Sequence, residues 1–86
     1  MKKTEMKIFM EYGYLMAVKD TFCKDHPEYA DDMHLVCADM PDLFRYVSGE
    51  DEEPYFDVDD FKIAYAEIRK IIHTKYDMIK AIEEIG

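Results

Sequence analysis

DFKIAYAEIRKIIHTKYDMIKAIEEI, residues 60–85, is the stretch whose reading decides the fold class. Phe61, Ala64, Ile68, Ile71, Lys75, Met78, Ile82 and Ile85 recur at alternating three- and four-residue steps, the a/d spacing of one helical face. Tyr65, Ile72 and Ile79 broaden the stripe, and no Pro or Gly interrupts it before Gly86. Asp57 or Asp59 stands where an N-cap belongs, and Asp60 in the first turn complements the helix dipole. Such a helix would be roughly 39 Å long, whereas a compact domain of this size is about 31 Å across. Ile79, Ile82 and Ile85 would then overhang, to be covered either by the first helix or by a second copy as a homodimer contact.

Upstream of this element the dominant period is also helical. Ile8, Tyr12, Leu15, Val18 and Phe22 predict a first helix from about Thr4 to Lys24, with Met6, Phe9, Met10 and Met16 widening its apolar arc. Gly13 inside it weakens the helix or permits close approach of a neighbouring backbone. Asp25-His26-Pro27-Glu28 breaks the chain, with capping-box spacing from Asp25 to Glu28. A second helix is expected to run to about Ala38, burying Tyr29, Met33, Val36 and Cys37. Asp39-Met40-Pro41-Asp42 repeats the punctuation, and a short third helix turns Leu43, Phe44 and Val47 inward before Gly49 stops it. The expectation is one all-α domain over residues 1–86, a small bundle of three to four helices with a long C-terminal amphipathic helix.

Charge is distributed unevenly along this framework. From Asp20 to Asp60 fourteen carboxylates face only Lys24 and Arg45, while the flanking segments are weakly basic, so the net charge of −9 comes entirely from the middle. Gathering one sign of charge costs folding energy through self-repulsion and points to a cationic partner. Seven carboxylates, Glu50, Asp51, Glu52, Glu53, Asp57, Asp59 and Asp60, fall within eleven residues. Alternate residues of an extended chain, such as Asp57 and Asp59, lie ~6.6 Å apart on one side, a scale comparable with phosphates that rise ~3.4 Å per step on each DNA strand. Glu28, Asp31, Asp32, Asp39 and Asp42 extend the row, and Tyr46, Tyr55 and Phe56 stand beside it as apolar anchors. The competing reading is a solvated face that caps the last helix and keeps the chain soluble.

Other chemistry fares worse. An EF-hand loop begun at Asp51 would put Phe56 at its sixth position and Lys62 at its twelfth, where Gly and Glu are required. Cys23-x-x-His26 and His34-x-x-Cys37 supply a zinc ligand set, but a hairpin turning near His26 leaves the pairs roughly 7 Å out of register. A Cys37–His34 dyad lacks a third residue to orient the imidazole, and the three glycines lie too far apart for a phosphate loop. Asn, Gln and Trp are absent and Ser48 is the only serine, so the neutral polar groups that orient substrates are nearly missing. Lys62, Arg69, His73 and Lys80 form a solvated outer face of the last helix, where the acidic middle opposes phosphate binding.

No catalytic, cofactor or metal site is therefore expected. Two cysteines, no apolar run near the ~20 residues of a membrane span and no signal-peptide core predict a cytoplasmic protein. The function expected is non-enzymatic: an acidic, nucleic-acid-mimicking inhibitor that occupies the basic groove of a nucleic-acid-handling protein without touching nucleic acid itself. Small acidic helical inhibitors of phages and mobile elements, anti-CRISPR proteins among them, work in that way. The alternative is a homodimeric helical adaptor or regulatory protein assembled through the C-terminal helix.

Overall fold

The computed structural model describes residues 3–73. They form three α-helices, α1 (Lys3–Asp25), α2 (Ala30–Ser48) and α3 (Val58–Arg69), with a single 3-10 turn at Pro27–Tyr29 and no strand among the described residues. The all-α class read from the sequence holds. Its finer divisions change at three places.

The first change is at the α1–α2 corner. The expected capping box does not form: Asp25 is the last residue of α1, His26 is the N-cap of the 3-10 turn, and no side chain bonds the exposed amides there. The corner is held by the backbone, with His26 N–H bonding Phe22 O at 2.8 Å and Tyr29 N–H bonding His26 O at 2.9 Å. The His26 ring tilts against Phe22, 5.2 Å between centroids. Pro27 opens the turn at a position where its missing N–H costs nothing.

The second concerns Pro41. The sequence reading ends one helix near Ala38 and starts another after Pro41, yet α2 runs unbroken from Ala30 to Ser48 with Pro41 inside it. A mid-helix proline forfeits one backbone bond and costs about 3 kcal/mol. Breaking the helix would cost more, because Met33, Val36, Cys37, Met40, Leu43 and Val47 form one buried stripe across the proline. Losing Leu43 and Val47 from the core alone is worth roughly 1.5–3 kcal/mol each. Gly49 then ends the helix as expected, at φ 86° in the left-handed region, with Glu50 and Asp51 N–H both bonding Arg45 O.

The third is the length of the last helix. Asp57 caps α3, its Oδ1 accepting from Asp60 N–H at 2.9 Å, and Phe61, Ala64, Tyr65 and Ile68 are buried. The helix stops at Arg69 rather than continuing towards residue 85. Ile71 N–H and Ile72 N–H both bond Ile68 O, so the ladder closes into a turn on one shared acceptor. Ile71, Ile72, His73 and Thr74 in succession are weak helix formers, and the apolar period alone did not register this. At twelve residues α3 is about 18 Å long and does not overhang. Ile79, Ile82 and Ile85 lie outside the described residues.

In the core, Ile8, Leu15 and Phe22 meet the α2 stripe and Phe61, Ala64, Tyr65, Ile68 and Ile72 of the third segment. Phe61 stacks on Tyr65, and Phe56 meets the edge of Phe61. A buried polar contact also joins two of these helices. Glu11, 1% exposed, accepts from the Tyr65 hydroxyl at 3.0 Å and ties α1 to α3.

Helix α1 is two-sided. Met6, Phe9, Met10 and Met16, expected to widen the core-facing arc, are instead 45–62% exposed, as is Tyr14 at 46%. At 100° per residue Met6, Phe9, Met10, Gly13 and Ala17 cluster about 180° from the Ile8–Leu15–Phe22 seam. Among the described residues Gly13 serves no close approach, because a Cβ added there meets nothing within 4 Å.

Candidate functional site

Uninterrupted helix through Pro41 changes the geometry of the acidic residues. Asp31, Leu35, Asp39, Asp42 and Tyr46 follow one another at four-, four-, three- and four-residue steps, with Asp32 beside them. On a single helix these positions form one ridge within an arc of about 100° and a length of about 22 Å. Had α2 broken at Pro41, the carboxylates before and after it would point along two axes.

The N-terminus of α3 abuts this ridge. Burial first, and then the charges of Asp42, Asp57 and Asp60, push the Asp39 carboxyl above its ordinary range. Four carboxylates from two helices therefore share one electrostatic field. Arg45 is the cation embedded in it, pairing with Asp42 on one side and with Asp51 at 3.5 Å on the other. The Arg45 carbonyl also accepts from the Ser48 hydroxyl at 3.0 Å, beside the Glu50 and Asp51 amides that bond it.

The remaining sequence-predicted residues are placed unequally. Glu28 on the 3-10 turn and Asp31 are exposed, whereas Asp32, Asp39, Asp42 and Tyr46 are half-buried. In the loop after Gly49, Glu50, Glu52 and Glu53 are exposed and Tyr55 is 70% exposed, an available apolar contact. Asp51 turns inward to Arg45, and Phe56 packs on Phe61, so neither presents itself outward. The extended spacing expected from Asp57 to Asp59 does not exist: Asp57 is the cap, while Asp59 and Asp60 lie in the first turn of α3. A beaded row of carboxylates on a strand is replaced by a helical ridge beside a helix N-terminus.

His34 and Cys37, paired in the sequence reading, do not face one site. The Cys37 thiol faces the core, donating to Met33 Sδ at 3.7 Å, while His34 is exposed. Burial, opposed by Lys19 and reinforced by Cys23, raises the Cys37 pKa and disfavours the thiolate that a nucleophile or zinc ligand requires. Among the described residues no three His, Cys, Asp or Glu side chains are arranged to hold a metal ion. No described helix is long and apolar enough to cross a membrane.

Two features were not foreseen. An open apolar cleft of about 380 Å³, lined by Ile8, Phe9, Tyr12, Met40, Pro41, Phe44 and Arg45, lies between α1 and α2. Arg45 joins its rim to the acidic ridge. The second is the exposed outer face of α1. Its signal was present in the sequence, since a helix apolar on every side has more than one face to cover.

No protein-family model matches this chain, and no curated protein or solved structure matches it.

Proposed function

We propose that this protein is a non-enzymatic interaction module whose acidic α2–α3 face docks on a basic surface of a nucleic-acid-handling protein and blocks the groove that nucleic acid would occupy. The observation that carries this reading is geometric: Asp31, Asp39 and Asp42 share one face of an unbroken α2, beside an α3 N-terminus that carries Asp57, Asp59 and Asp60. Two helices bring like charges together at a cost in stability, with a single arginine among them, and a cationic partner relieves that cost. Exposed Tyr55 and half-buried Tyr46 supply the flat apolar contacts that give such a face specificity beyond charge. Inhibition of the kind found in phage and mobile-element anti-defence proteins fits the charge and size of the chain.

The test is a pull-down from bacterial lysate at about 50 mM and about 300 mM salt, between which screening shortens the Debye length. The full chain is compared with Asp31→Asn, Asp42→Asn, Asp59→Asn and Asp60→Asn combined. The reading expects nucleic-acid-binding proteins retained by the wild type at low salt, released at high salt, displaced by added duplex DNA and lost with the combined variant. Equal recovery of the same proteins by both chains rejects it.

A further inference from the structure

Arg45 is bonded through both its main chain and its side chain to the segment that follows α2. Its carbonyl accepts from the Ser48 hydroxyl at 3.0 Å and from the Glu50 and Asp51 amides at 3.0 and 3.2 Å. Its guanidinium pairs with Asp42, one turn back on the acidic ridge, and with Asp51 in the loop. Asp51 is the inward residue of that loop, its side chain 19% exposed, and its Oδ2 is buried without a hydrogen bond among the described residues. Arg45 Nε, 3.5 Å away, is the charge that offsets it. From Asp25 to Phe61, Arg45 is the only lysine or arginine in the sequence. The far end of the loop is fixed by other means, Phe56 on Phe61 and Asp57 as the cap of α3. Between the two tethers Glu52, Glu53 and Tyr55 are exposed.

We propose that Arg45 is the positioning residue of the docking face, a clamp that holds the acidic loop against the α2 ridge and so sets Glu52, Glu53 and Tyr55 in place before a partner arrives. Its consequence for binding rests on the docking reading above; its effect on the loop does not.

The physical reason is repulsion. Glu50, Asp51, Glu52 and Glu53 follow one another, and the ridge beside them carries Asp42. Without the guanidinium, the inward Asp51 carboxylate would face Asp42 with no cation between them, and turning out to water would lower its energy. A planar guanidinium suits this place because it offers donors along two edges, so Nε faces Asp51 while Nη2 meets Asp42. A loop already in place loses little ordering entropy on docking. Charge and clamp therefore make opposite predictions. If Arg45 were only a positive charge lodged in an acidic face, removing it would strengthen attachment to a cationic surface. As a clamp, its removal leaves a face that is one unit more negative and yet binds more weakly.

Two measurements on the full chain test this. In the first, glutamyl endopeptidase acts on the isolated protein under native conditions. Arg45→Met, at a half-exposed helical position, is expected to speed cleavage after Glu50, Glu52 and Glu53 about threefold to tenfold. Cleavage after Glu11, buried in the middle of α1, should keep its wild-type rate, which separates release of the loop from loss of the whole fold. Arg45→Lys keeps the charge without the fork and should be cleaved like the Met variant. Equal acceleration after Glu11, or wild-type protection of the loop in either variant, overturns the clamp. In the second, the proteins that the wild-type chain retains at about 50 mM salt and that duplex DNA displaces are recovered with Arg45→Met. Recovery is expected to fall about threefold or more, and equal or greater recovery overturns the clamp's part in docking. If the wild-type chain retains no such protein, the docking reading fails, and cleavage alone decides whether Arg45 holds the loop.

Discussion

Replacing Asp39 with Asn is expected to stabilise the protein at neutral pH. Asp39 sits midway along α2, more than two turns from either end, so the helix dipole barely reaches it. Asn preserves its volume, and the change isolates the charge. The Asp39 pKa is raised, first by burial and then by Asp42, Asp57 and Asp60, above the value of 3.8 that an isolated aspartate shows. A carboxyl that holds its proton more tightly folded than unfolded destabilises the fold once ionised. That penalty is fully present above the folded pKa, declines as pH falls through it, and is absent below about 3.8. Three like-charge neighbours contribute a few tenths of a kcal/mol each across a partly solvated surface, hence about 1 kcal/mol in all. In a domain of this size that is about 4–8 °C in melting temperature. Urea unfolding at pH 7 and pH 3, in low and high salt, measures it. The gain should appear at pH 7 in low salt, shrink as the Debye length falls to several ångströms, and vanish near pH 3. No gain at pH 7, or one that persists at pH 3, would mean that the four carboxylates do not share a field, and the basis of the proposed docking face would be gone.

Tyr65→Phe removes the hydroxyl that donates to Glu11 at 3.0 Å between two side chains that are at most 1% exposed. The expected loss is about 1.5–3 kcal/mol in urea unfolding, as for a buried hydrogen bond to a carboxylate, and a loss below about 0.5 kcal/mol would deny this contact its part in joining α1 to α3. At Asp57 two variants separate cap from charge. Asp57→Asn keeps an acceptor for Asp60 N–H and relieves repulsion on Asp39, whereas Asp57→Ala loses the acceptor. The Ala variant should be about 1 kcal/mol less stable than the Asn variant, and equal stabilities would show that the cap contributes nothing.

The sequence made the helical class legible because the apolar period of 3.6 is a property of each segment alone. Local chemistry that acts within four residues was legible too: the Asp57 cap and the Gly49 stop form as expected. The misreadings all come from terms that depend on the rest of the molecule. Pro41 carries a local preference to end a helix, and only the burial of Leu43 and Val47 on the far side of it outweighs that preference. The reach of the last helix was read from period, although Ile71 and Ile72 can be buried or half-buried in a turn as well as in a helix. Of the candidate site, the identity of the acidic residues was readable and their grouping was not. Asp39 and Asp57 are eighteen positions apart, and nothing local says that their charges meet.

The same geometry explains why an acidic face and an apolar face coexist on so short a chain. An 86-residue domain has a thin core, and each large apolar side chain withheld from it forfeits stability. Helix α1 nevertheless commits only Ile8, Leu15 and Phe22 fully to the core, one residue per heptad, and turns five other large apolar side chains outward. One residue per heptad is a narrow seam, flanked by the half-buried Tyr12, Val18 and Cys23 that pack against the same core. Helix α2 makes the converse choice. Its buried stripe is continuous across Pro41, and its acidic ridge is continuous for the same reason, since both ride on one axis. The proline tolerated in α2 and the glycine tolerated in α1 therefore raise one question in two places. Each lowers local helix stability; the burial of Leu43 and Val47 accounts for the helix surviving the first, and among the described residues no neighbour approaches the second.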